Sequence, residues 1–365
     1  MRKEAPVSFD PIQEDCLRLI LQDMRRKRVF PLENAAFIER DMDVYSQDPA
    51  RLIKTDEDRS FHLTARAAEM VDYRIPFLTD EAEVDRMGDE AESLLREAVE
   101  LDPSNWDAQR MLTALVAQSN DAYVSYLLDK RGEVEHDCAL MVASAQDPYS
   151  REFAAGIGRN PYLRWLSAIS SHALICGQYR LALRTAEESL SYAPDDPGDV
   201  RHTGMLALAK LEASREELAD YRRRHAVSYA LPSPHNRRPH PADKDLDPWS
   251  LMAQMSVAYR ELDYEGAART LRLLLKSHPH AAHALFYQAE FPEGVFGRVN
   301  VMPGSEDELA LAISESTPLL QEGMGSPDAA SFSTWIAQSD AVQDALDQQD
   351  ERLMPHFGGR SGGEN

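Results

Sequence analysis

The sequence predicts an all-α fold built as a helical solenoid of antiparallel helix pairs, with irregular helical segments at both ends. Three observations predict it. Apolar residues recur at spacings of three and four along most of the chain, period-two alternation is nearly absent, and a proline-anchored pattern returns three times. The first pattern gathers apolar side chains on one face of a helix, and strands need the second. A sheet of any size is not expected.

Taken in order, residues 1–80 read as an N-terminal helical segment without a recognisable role. Its basic run from Met24 to Arg28 falls at a helix end, where cations complement the helix dipole. Glu90 to Glu100 then places Ala91, Leu94, Leu95, Ala98 and Val99 on one face, and Asn105 to Gln118 does the same with Trp106, Met111, Leu112, Leu115 and Val116. Further helices are predicted over Tyr162–Cys176, Arg180–Tyr192, Val200–Glu212, Trp249–Leu262, Tyr264–Ser277 and Ala281–Ala289. Between them Ala145–Pro161 reads as loop, and Leu231–Asp247, with four prolines, reads as an inserted interaction loop. Glycine and proline after Phe291 end the helical pattern, so residues 291–365 form an acidic C-terminal helical segment that closes in a flexible glycine-rich tail.

The repeat becomes visible when Pro103, Pro194 and Pro279 are aligned. Twelve residues before each stand Ala91, Ala182 and Ala267; eight before come Leu95, Ala186 and Leu271; four before come Val99, Leu190 and Leu275. Tyr179 and Tyr264 stand fifteen before the second and third prolines, and Gly177 opens the turn in the second copy, whereas Gly88 holds the tyrosine position in the first. An alanine where two helices cross lets their backbones approach, and larger neighbours fill the grooves beside it. Pro194 and Pro279 are 85 residues apart, which two 34-residue steps fill once the 17 residues of Leu231–Asp247 are set aside.

These residues resemble the tetratricopeptide (TPR) repeat, a 34-residue helix–turn–helix module, over residues 81–290 in degenerate form. Leu163–Asp196 and Pro248–Ala281 match best, although Leu166 and Leu251 hold the fourth position and Ser170 and Met255 the eighth. Pro161, Tyr162 and the run Gly198 to Arg201 are also similar to bacterial TPR proteins of the suppressor-of-tumorigenicity-7 group. The resemblance implies a right-handed solenoid whose first helices line a concave peptide-binding groove. Carried over, the groove positions are Asp107, Arg110 and Met111, then Arg164, Ser167 and Ser171, then Arg201, His202 and Met205, and finally Trp249, Met252, Ser256, Tyr259 and Arg260. The arginines suit a carboxylate-bearing peptide, since a guanidinium forks onto a carboxylate, and Trp249 and Tyr259 supply apolar anchors.

Composition narrows the partners. With 62 acidic against 39 basic side chains the chain carries a net charge of −23, which repels nucleic acid and anionic membrane surfaces. Residues 301–365 hold twelve of those acids against Arg352 and Arg360, so this segment is a candidate internal ligand for the arginine-bearing groove. Cys16, Cys138 and Cys176 are too scattered for a disulfide framework or a zinc site, no apolar run is long enough to span a membrane, and residues 1–11 hold no signal-peptide core. A cytoplasmic address is expected. The histidines at 278, 280 and 283, those at 235 and 240, and the Cys176–His172 pair all read as structural or exposed rather than metal-binding or catalytic. No phosphate-binding or hydrolase motif occurs. The expectation is a non-catalytic scaffold without cofactor; a ligand-sensing regulator and an enzyme with an unfamiliar helical site are the alternatives.

Overall fold

A computed structural model describes residues 10–29, 35–144, 148–226, 247–278, 282–288, 305–321 and 331–353. Among them every regular element is helical. The proline-rich stretch up to residue 246, the histidines at 235, 240 and 280, and the glycine-rich tail lie outside the described residues. The chain forms two units, one holding residues up to Ala207 and the other beginning at Leu208.

In the first unit, α1 (Pro11–Lys27) starts where Asp10 accepts the backbone N–H of Gln13 at 2.8 Å and ends with Arg25, Arg26 and Lys27 in its last turn. The basic run is therefore a helix terminus. α2 (Ala35–Gln47) follows, and α3 (Asp56–Ala68) opens with a reciprocal cap between Thr55 and Asp58. α4 (Glu81–Leu101) packs along α3 and against α5 (Trp106–Val116). Ala65, Ala68, Ala91, Leu95, Ala98, Ala108 and Met111 are buried in the core there. α6 (Asn120–Ser144), α7 (Pro148–Ile175) and α8 (Tyr179–Tyr192) form a second layer in which α7 packs on both neighbours. Trp106 and Trp165 meet edge to face at 5.8 Å inside it. α9 (Val200–Lys210) starts at the end of this unit.

Two expectations change here. Glu90–Glu100 is the second half of a helix that begins at Glu81, and Gly88 sits inside it with open space around it, so the first copy has no turn at that glycine. Ala145–Pro161 is not a loop from Pro148 onward, because α7 runs through Pro161. Proline removes one helical hydrogen bond at a cost of about 3 kcal/mol. Packing offsets this: α6 comes so close that a Cβ built on Gly158 would stand 3.0 Å from Val142.

The second unit contains α10 (Arg215–Arg224), α11 (Pro248–Arg260), α12 (Tyr264–Ser277), α13 (Ala282–Tyr287), α14 (Glu306–Glu315), α15 (Thr317–Leu320), α16 (Phe332–Ala337) and α17 (Asp340–Leu353). α11 and α12 form a close pair; α14 packs on α11, and α17 packs on α12 and α13. Leu309, Ala312, Leu319, Phe332, Ile336 and Val342 from the C-terminal helices are as deeply buried as Met252, Met255, Ala267 and Leu271. The acidic C-terminal segment thus contributes apolar core.

One turn recurs three times. Gly177, Glu212 and Leu262 each adopt a left-handed conformation, with φ of 74°, 64° and 62°. At each, the next residue's N–H reaches back five positions: Gln178 to the Ala173 carbonyl at 2.8 Å, Ala213 to Leu208 at 3.3 Å and Asp263 to Ala258 at 2.9 Å. Gly177 and Leu262 stand at the same place in the proline alignment, and Glu212 follows Gly177 by 35 residues. Beyond two of these turns Ala182 and Ala267 are fully buried, and the Ser170 hydroxyl donates to the Ala182 carbonyl at 2.9 Å, which fixes the close crossing of α7 and α8.

Candidate interaction surface

The predicted groove residues of the first unit lead into a buried charge network. Arg164, on α7, is 1% exposed. Its Nε donates to Asp107 Oδ1 at 2.7 Å and its Nη1 to Glu14 Oε2 at 2.7 Å, while Nη2 bonds both carboxylates. Asn160 and Arg18 also donate to Glu14, at 2.9 and 2.8 Å. One arginine therefore ties α1, α5 and α7 together. Arg110 is buried in the same network, with Nη2 3.5 Å from Asp107 and no partner at Nε. Burial alone would raise the pKa of both acids, but the Arg164 charge and hydrogen bonds, together with the neighbouring Arg18 and Arg110 charges, hold Glu14 and Asp107 below their usual values.

Arg201, at the start of α9, is bound in the same way by nearby acids. Its Nη1 lies 2.9 Å from Asp196 and 2.6 Å from Asp199, and Asp196 also accepts the backbone N–H groups of Val200 and Arg201. His202 is buried beside it. Ser171 is half-buried and donates to carbonyls of its own helix. Arg164 and Arg201 thus hold carboxylates of the chain itself, and Glu14 comes from 150 residues before Arg164.

The second-unit residues lie under the C-terminal segment. Trp249 is buried, and its indole N–H donates to Glu315 of α14. Tyr259 packs on Phe332 and Trp335 of α16, with centroids 5.4 and 5.5 Å away, and also meets Tyr264 at 5.6 Å. Arg260 donates to the carbonyl of Ala209 at 2.8 Å. His278, buried at the end of α12, faces Glu308 Oε2 at 3.2 Å, a pairing 30 residues away that no local pattern signals. Sequence reasoning missed Glu14, Glu308 and Glu315 as partners of Arg164, His278 and Trp249, since none shares a helix with its partner.

Among the described residues no group of three or more His, Cys, Asp or Glu could hold a metal ion, and no helix is long and apolar enough to cross a membrane. Burial pushes the thiols of Cys16 and Cys138 up to about 11, so neither is a ready nucleophile at neutral pH. His172 is held by Asn120 at 3.0 Å and stacks edge-on against Tyr123. No protein-family model, no curated protein and no solved structure matches the chain.

Proposed function

We propose that this chain is a TPR-like, right-handed helical solenoid acting as a non-catalytic, cytoplasmic protein–protein interaction scaffold. The observation that carries the reading is the recurrence of one left-handed turn at Gly177, Glu212 and Leu262, with fully buried Ala182 and Ala267 following it at matching distances. Stacked helix pairs of this kind present their first helices as a continuous binding face.

The partner in this reading is a peptide or helix carrying carboxylates. Support comes from what these residues already hold: Glu14 on Arg164 and Asp196 on Arg201 in the first unit, and Glu315 on Trp249 in the second. Among the second-unit residues Tyr259 and Arg260, near the α11–α12 turn, are half-buried, so they are where a partner would first touch. The test is affinity capture with the full chain followed by mass spectrometry, repeated with a Tyr259→Ala/Arg260→Ala variant whose fold is checked by circular dichroism. A protein lost at least tenfold from the variant supports the reading; an unchanged set of captured proteins overturns it.

A further inference from the structure

The first unit contains a second polar cluster that the interaction surface does not use. Asp15 of α1 is buried, and its Oδ2 accepts the hydroxyl of Tyr45 from α2 at 2.6 Å and faces Nδ1 of His62 from α3 at 2.7 Å. A carboxylate accepts only, so Nδ1 carries a proton and, in the neutral imidazole, the lone pair resides on Nε2. That nitrogen bonds no described residue and is not a buried atom, and the His62 side chain is 15% exposed. Arg66 stands four residues on, one turn along the same face of α3, exposed and without an ion pair among the described residues.

We infer that His62 is a phosphoryl-acceptor site, taking the group on Nε2 from an N-phosphoryl donor such as a phosphoramidate or another protein's phosphohistidine. An oriented imidazole with one protonated and one open nitrogen is a nucleophile. In the step the Nε2 lone pair forms the new N–P bond and the donor's P–N bond breaks. With phosphoramidate the ammonio group leaves as neutral ammonia. The imidazole gains the positive charge of a ring carrying Nδ1–H and a phosphorylated Nε2, and Asp15 faces that charge from the buried side. Arg66 is placed to attract the incoming phosphoryl oxygens. A phosphoryl group passes from one side chain to another at a surface, so the step requires no enclosed pocket.

The test is incubation of the full chain with potassium phosphoramidate, followed by intact mass and peptide mapping under alkaline conditions. The eleven histidines of the chain compete within one sample. The expected result is an acid-labile, alkali-stable phosphoryl group that appears first on His62, disappears in His62→Gln and forms several-fold more slowly in Arg66→Ala. Asp15→Asn should slow it at least tenfold if the variant folds; Arg66 is exposed, so that variant keeps the test decisive if Asp15→Asn does not fold. Labelling of His62 no faster than of the other histidines, or an unchanged rate in Arg66→Ala, overturns the inference.

Discussion

Arg164 is a residue on which the first unit depends, because it is a fully buried cation held by two buried anions. Removing one partner of such a group leaves charge uncompensated at a cost of about 3–5 kcal/mol. Arg164→Met should therefore lower the denaturant midpoint sharply, while the combined change with Glu14→Gln and Asp107→Asn should cost less than Arg164→Met alone. The pH dependence has a definite sign. Glu14 and Asp107 have folded pKa values below their unfolded ones, so their contribution is fully present above the ordinary carboxylate range, about 3.9–4.3, and is lost as pH falls through the folded values. Denaturation midpoints measured between pH 7 and pH 3 check this, and a midpoint that rises toward pH 3 would contradict it. Half of this network was legible. The TPR resemblance picks out Asp107, Arg110 and Arg164 as groove positions and not as partners of one another, whereas a carboxylate 150 residues away becomes a partner only through tertiary packing.

At the scale of elements, the repeated turn gives two substitutions with opposite expected effects. Gly177 and Leu262 occupy the same left-handed position, but a residue with a Cβ pays about 1–2 kcal/mol there. Leu262 is also 71% exposed, so its side chain returns little of that through packing. Leu262→Gly should stabilise the second unit by up to about 1 kcal/mol, and Gly177→Ala should destabilise the first by a similar amount. Thermal unfolding of the two variants measures both, and a destabilising Leu262→Gly would point to a role for the exposed leucine. The second helices of the pairs were readable in the sequence because small and large apolar residues alternate on one stripe. α6 and the first half of α7 were not, since α6 spreads its apolar residues around its circumference and Pro161 mimics a helix start.

For the whole molecule, the acidic C-terminal segment matters as core more than as charge. Its buried Leu309, Leu319, Phe332, Ile336 and Val342 each contribute about 1.5–3 kcal/mol on burial. Together they approach the entire stability of a typical domain, about 5–15 kcal/mol. Removing residues 301–365 should accordingly strip hydrogen-exchange protection from Pro248–Arg260 and Tyr264–Ser277. Unchanged protection there would show that the segment is dispensable. The sequence located this segment by its charge, but the apolar residues that seat it are too few and too interrupted to announce a core.

On the proposed interaction reading, the carboxylates paired with Arg164 and Trp249 also set a threshold for any competitor. Glu14 and Glu315 belong to the same chain as Arg164 and Trp249, so each is present at an effective concentration of about a millimolar or more. A free partner at about a micromolar must then bind roughly a thousandfold more tightly than these tethered acids to take their places. On that reading weak acidic sequences, however abundant, are outcompeted by the chain's own carboxylates, and only a high-affinity segment gains access.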